Sequence, residues 1–183
     1  MNTRAILAVA AIAALSIGLS ANQGGAAAPA QRPSVMDAKG KAFPDFKLKT
    51  LDDKEFSNKS FKGKVTVIDF WATWCGPCVA AAPKLQAIHE DMKDKGVQIV
   101  GANAFERGGD GKLDNGPDKA KKYVEEHKYT YTFTYGGSEL AQKLNITGIP
   151  SFFIIGKDGV VADVQVGFSE AKIRSAIEDA LAK

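Results

Sequence analysis

The sequence predicts an α/β domain: a central mixed β-sheet flanked by helices, with an N-terminal β-hairpin and an inserted helical unit. Three observations carry this. Val65-Thr-Val-Ile-Asp-Phe-Trp71 is apolar, β-branched and interrupted by one carboxylate, as a buried strand reads. From Val79 to Asp94 the apolar residues Val79, Ala82, Leu85, Ile88 and Met92 recur at helical spacing, and Val97 to Ala102 is a second short buried strand. Strand, helix, strand implies a right-handed parallel crossover, whereas hairpin signals at both ends imply antiparallel pairs, so the sheet is mixed.

In chain order, Phe46 to Leu48 and Glu55 to Ser57 flank Asp52-Asp53-Lys54 as a short hairpin. The strand Val65 to Trp71 and the helix to Asp94 follow, with Pro83 an expected kink. Phe105 to Pro117 holds four glycines and five charged residues without an apolar period, and is expected as a solvated loop. Its Asp110, Asp114 and Asn115 lack the alternation and the closing glutamate of a calcium loop. Asp118 to Lys128 is an amphipathic helix with Ala120, Tyr123, Val124 and His127 on one face. Tyr129 to Phe133 alternates as a strand or extended segment, and Ser138 to Leu144 is a short helix. Ser151 to Ile155 and Val160 to Val166 are strands joined at Lys157-Asp158-Gly159, and Glu170 to Ala180 is the closing helix.

A chain that is 45% hydrophobic and 25% charged supports one domain with a sizeable core plus appendages. Net charge is only +3, and no Lys/Arg cluster interleaved with aromatics is present, so nucleic acid is not an expected partner. Residues 1–28 read as a signal peptide: Arg4 supplies the basic end, Ala5 to Leu19 is an apolar run, and small residues follow. That run is 15 residues, short of the roughly 20 that span a bilayer, and would serve as an N-terminal anchor if retained. Its removal deletes Arg4 and no acid. Residues 29–38 are expected as a flexible tether and 39–183 as the folded domain. Export to the periplasm or the outer face of the cell envelope is therefore expected.

Both cysteines lie in Trp74-Cys75-Gly76-Pro77-Cys78, where the first long strand hands over to the helix. Free backbone N–H groups and the positive end of the dipole favour an anion at a helix N-terminus, which makes Cys75 the expected low-pKa nucleophile. Cys78, one turn further in, is the expected resolving thiol, placed to attack a mixed disulfide on Cys75. A structural bridge over two intervening residues constrains little chain. A zinc site needs more ligands than His89 and His127 offer, so no metal and no cofactor is expected. In an oxidising compartment, a cysteine count equal to that of one reactive pair leaves no thiol to divert electrons.

Val67-Ile-Asp-Phe-Trp-Ala-Thr-Trp-Cys-Gly-Pro-Cys78, Pro83 and Gly148-Ile-Pro-Ser-Phe-Phe153 resemble the thioredoxin superfamily. Within it, the N-terminal hairpin and the helical insertion resemble the exported TlpA/ResA-type thiol-disulfide oxidoreductases. The resemblance implies a thioredoxin-like fold, a cis bond before Pro150 lying against the cysteine pair, and a main-chain edge at Ile149 for the client's cysteine-bearing segment. It also matches Asp69 to the buried aspartate that accepts the resolving thiol's proton. A carboxylate in an apolar strand is costly to bury and its pKa is raised, so this residue needs a reason to be there. Trp74 is expected as an apolar rim beside Cys75, with Gly76 and Pro77 completing the client-facing surface, and Trp71 as core. ResA-type members carry asparagine at the position of Asp69 and a glutamate at that of Ala81, so the proton handling resembles thioredoxin more. Along a continuous helix His89 lies about 21 Å from Cys75 and forms no dyad with it. His127 is expected as a satisfied or rim histidine.

The reading is an exported thiol-disulfide oxidoreductase, a monomer that reduces disulfide-containing client proteins and is recharged by a membrane dithiol donor. Apocytochrome c or its maturation factors are clients that the resemblance implies. The Gly76-Pro77 dipeptide is thioredoxin's, whose potential of about −270 mV lies about 150 mV below that of a dedicated oxidase. The alternatives are a dithiol oxidase or isomerase, a thiol peroxidase, and a non-catalytic domain binding a partner or copper through its thiols. Thr73 is the peroxidase's sole support and stands one residue too close to Cys75.

Overall fold

The computed structural model describes residues 33–183. The expected signal peptide and the first part of the tether lie outside the described residues. Seven strands form one sheet: β1 (Lys47–Thr50), β2 (Glu55–Ser57), β3 (Val65–Trp71), β4 (Val97–Asn103), β5 (Thr132–Tyr135), β6 (Ser151–Ile155) and β7 (Val161–Val166), in the order β2-β1-β5-β4-β3-β6-β7. Four helices flank it: α1 (Gly76–Met92), α2 (Asp118–His127), α3 (Ser138–Lys143) and α4 (Glu170–Leu181). β3 pairs parallel with β4 and β4 with β5, while β3–β6, β6–β7, β1–β2 and β1–β5 are antiparallel. The fold is thioredoxin-like, with the mixed sheet, hairpin and helical insertion that the sequence pattern implies.

β3 is central and wholly buried, which explains its near-continuous apolar run. Its alternation sends Val65, Val67 and Trp71 into a core shared with Leu85 and Ile88 of α1 and Ile173 and Ile177 of α4. Ile68 and Phe70 enter the opposite core with Phe43, Phe56, Phe61 and Phe153. There Phe43 and Phe70 meet Phe153 edge-on at 5.6 and 5.7 Å between ring centres, a preferred aromatic geometry. The cysteine-bearing end of β3 is thus held from both faces.

Several boundaries differ from the sequence reading. α1 begins at Gly76 and runs through Pro83 to Met92 without a break. The tether does not extend to residue 38. Val35–Ala38 forms a 3-10 turn in which Ser34 and Asp37 cap each other, and Lys39 pairs with Asp163 at 2.7 Å. Backbone bonds from Gly40 to Val161 and from Phe43 to Gly159 tie this strap beside β7. The strand placed at Tyr129 to Phe133 lies at Thr132–Tyr135, because pairing with β4 starts at Thr132 whereas Tyr129 and Tyr131 pack as aromatic spacers.

Gly101 of β4 sits between Asp69 and Phe133 in the sheet register. A Cβ there would stand 2.7 Å from Phe133 Cδ1 and 3.0 Å from Trp71 Nε1. Both rings are buried and packed on each other, so neither yields freely. Gly101→Ala is expected to cost about 1–3 kcal/mol by overpacking, read as a lower urea midpoint with an unchanged slope. A midpoint equal to the parent's would contradict this packing.

Candidate functional site

Cys75 is the N-cap of α1, with extended backbone (φ −86°, ψ 100°), and its Sγ accepts the Cys78 N–H at 3.2 Å. Proline suits the first helical turn, where its missing N–H costs no intrahelical bond, so Gly76-Pro77 starts the helix immediately after Cys75. Cys75 and Cys78 are joined as a disulfide. The Cys75 Sγ of this oxidised state stands where the thiolate of the reduced state would receive the same N–H and the helix dipole. Cys78 is 1% exposed and Cys75 4%, whereas Trp74 is 54% exposed and Gly76 and Pro77 are open to solvent. The pair lies at the floor of a surface formed by its own flanking residues.

The Ile149–Pro150 peptide is cis, and Ile149 O lies 3.7 Å from Cys75 Sγ. Pro150 is buried, its carbonyl accepts from Gly167 N at 2.9 Å, and Ser151 Oγ donates to Gly148 O at 2.7 Å. These bonds fix the head of β6 beside the dithiol. Ile149 contacts both cores through its side chain and shows its carbonyl to the sulfur.

Asp69 is 2% exposed and shares the α1-facing side of β3 with Val67 and Trp71. Its Oδ1 has no hydrogen-bond partner, and burial holds the carboxyl well above the usual carboxylate range. Tyr123 and Tyr131, in the same core, are likewise pushed up by burial, with the tyrosines around them and the Asp69 charge adding. An aspartate raised in this way comes closer to a thiol's ordinary range of about 8.5 and is the better matched base for it.

His89 is separated from Cys75 by the unbroken length of α1, and burial lowers its pKa. His127 is exposed, donates through Nδ1–H to Tyr123 O at 2.8 Å and stacks on Tyr129. In the 105–117 loop, Asp110 and Asp114 accept from backbone N–H groups two residues on, as turn formers. Among the described residues no cluster of three histidine, cysteine or acidic side chains could hold a metal.

One member of this site was hidden in the sequence. Glu106, counted among the charges of a solvated loop, is 1% exposed and reaches back to the segment before Cys75. Its Oε2 accepts from Thr73 N at 2.9 Å and Asn103 Nδ2 at 3.1 Å, and its Oε1 from Thr73 Oγ1 at 2.9 Å and Arg107 N at 3.4 Å. Next to it, Phe105 O accepts from Trp74 Nε1 at 2.9 Å. The period-two run Val100, Ala102, Ala104 is broken at Phe105, whose φ of +58° turns the chain, so no local pattern in the sequence marks Glu106 as buried.

This fold, with a Cys-Gly-Pro-Cys helix start facing a cis-proline, defines the class of thioredoxin-like thiol-disulfide oxidoreductases. A family model described as Redoxin matches residues 38–181, and the chain belongs to that family. It is 32% identical over 124 residues to the thiol-disulfide oxidoreductase ResA of Bacillus thuringiensis, covering 67% of this chain and 66% of that relative, just under two thirds of its length. It is 30% identical over 132 residues to the thioredoxin-like protein YneN of Bacillus subtilis, covering 70% of this chain and 71% of the relative. A crystal structure described as a putative thiol:disulfide interchange protein DsbE from Chlorobium tepidum superposes with a TM-score of 0.68 at 27% identity, covering 78% of this chain and 97% of that one. A solution structure described as a putative thioredoxin from Neisseria meningitidis gives 0.66 at 27% identity, covering 79% and 92%.

Proposed function

We propose that this chain is an exported thiol-disulfide oxidoreductase that reduces disulfides in proteins of the cell envelope and is itself recharged by a membrane dithiol. The observation that carries the chemistry is the position of Cys75 Sγ, at the N-terminus of α1 and 3.7 Å from the Ile149 carbonyl, inside an exposed rim. The ResA relatives support thiol-disulfide exchange, the Gly76-Pro77 dipeptide supports the reducing direction, and the N-terminal basic and apolar run supports export.

In the cycle, the Cys75 thiolate attacks one sulfur of the client disulfide. That S–S bond breaks, the first client thiolate leaves and takes a proton from solvent, and a mixed disulfide remains on Cys75. Cys78 then gives its proton to Asp69 and attacks Cys75 Sγ. The second client thiolate is expelled and takes up a proton, matched by the one that Asp69 gives back to solvent, and Cys75–Cys78 closes as a disulfide. The client gains two electrons and two protons, and the dithiol has lost them. Trp74, Gly76 and Pro77 form the surface on which the client lies, and Ile149 offers its main chain beside Pro150.

The test is to express the full chain with Cys78→Ser, so that the first step has no resolving thiol, and to recover the covalent adducts. Adducts with envelope proteins that dissolve in dithiothreitol are expected. Adducts confined to cytoplasmic proteins would contradict export and the client class together.

A further inference from the structure

We propose that Glu106 is a positioning residue for Cys75: it holds the Thr73-Trp74 segment against the head of α1 and sets a carboxylate on Thr73, two residues before the nucleophile, making the dithiol more strongly reducing. The inference rests on the oxidoreductase reading above. A glutamate 1% exposed is expensive unless its acceptors are filled. Here each oxygen receives an N–H, from Thr73 and Asn103 on one side and Arg107 on the other, with the Thr73 hydroxyl as fourth donor. An acceptor-only carboxylate suits that set. Two of the four bonds land on Thr73, two residues before the nucleophile, and the adjoining Phe105 carbonyl takes the Trp74 indole.

Phe105 adopts φ +58°, a conformation unusual for an aromatic residue, and its N–H is held by Ser138 Oγ at 2.9 Å. That turn carries the chain out of β4 and aims Glu106 back at the active-site loop. Asp114 N donates to Glu106 O at 2.8 Å, so the 105–117 loop is fastened to the same residue. The ionisable side chains on the segments that lead to the dithiol are Cys78 on α1, Asp69 on β3 and Glu106 after β4, with two cations on the Glu106 side, Arg107 next to it in the chain and Lys119, whose Nζ donates to the Arg107 carbonyl, while the Gly148 to Ser151 segment brings carbonyls and no ionisable side chain. A negative charge near Cys75 disfavours its thiolate. Because thiolate formation stabilises the reduced pair, that charge favours the disulfide of this protein and hence electron transfer to the client.

The experiment compares the parent with Glu106→Gln, which keeps the volume and part of the hydrogen bonding but removes the charge. Two readouts are taken: the pH profile of iodoacetamide capture of Cys75 in the reduced protein, and the equilibrium with a glutathione buffer. The capture midpoint is expected to move to lower pH, and the equilibrium to shift about fivefold toward the dithiol, about 20 mV on the two-electron scale. A folded Glu106→Gln protein with the parent's midpoint and equilibrium, or with shifts of opposite sign, overturns the proposal. Should Glu106→Gln fail to fold, Thr73→Val keeps the charge and removes one donor to it; the midpoint is then expected to rise, and an unchanged midpoint overturns the proposal. Neither readout needs a client. A parent that fails to reduce any protein disulfide would count against the oxidoreductase reading instead, independently of Glu106.

Discussion

Cys75→Ser is expected to abolish turnover of a protein disulfide such as insulin, leaving the rate of the buffer alone. Serine matches cysteine in size, so the helix N-cap and the fold are retained, but its hydroxyl is not ionised near neutral pH and the helix terminus has no thiolate to stabilise. The first bond of the cycle cannot form. Cys78→Ser is expected to differ in kind: the thiolate still attacks and one client equivalent is captured, yet the mixed disulfide is not resolved and turnover stops after one event. Mass spectrometry of the trapped species checks the assignment. Residual turnover in Cys75→Ser close to the parent's, or an adduct mapped to Cys78 in the parent, would reverse the two roles; the 1% exposure of Cys78 argues against that.

The second large effect belongs to Asp69→Asn. If Asp69 takes the proton of Cys78, the amide removes a base, and turnover should fall by about 10²-fold, with the loss in mixed-disulfide resolution and not in the initial attack. Stability should change in the opposite sense. In the unfolded chain the carboxyl titrates at 3.8, whereas burial in the fold holds it well above that value. Below 3.8 both states keep the proton and the carboxyl does not oppose folding. As the pH rises past 3.8 the unfolded chain gains by ionising while the folded protein resists, so the parent loses stability up to the raised folded value. Asp69→Asn has no such loss, and its thermal midpoint is expected to exceed the parent's by a margin that widens as the pH rises above 3.8. A margin independent of pH would show that Asp69 is not buried as a raised carboxyl.

What the sequence made legible was local and strongly patterned. The strand Val65 to Trp71 shows its burial in its composition because both its faces are covered. Cys75 and Cys78 declare themselves by spacing, and Trp71 and Trp74 separate into core and rim because one lies in phase with the strand and the other follows its end. Periodicity missed the first turn of α1, since Gly76-Pro77-Cys78 carries no apolar repeat although it is helical. The pairing of β1 with β5 depends on residues about 85 positions apart, Lys49 and Tyr135, which no local pattern connects. Glu106 was hidden for a related reason. Its partner Thr73 is 33 residues away, and only the parallel pairing of β3 with β4 brings their ends together.

Whether Cys75 and Cys78 act as a reducing dithiol is decided by the reduction potential of the pair. The protein would be equilibrated in defined thiol buffers and its free thiols counted by mass tagging. A value near thioredoxin's, about −270 mV, is the result predicted here. A value near that of a dedicated oxidase, about −120 mV, would contradict the reductase and identify the pair as a source of disulfides for its clients.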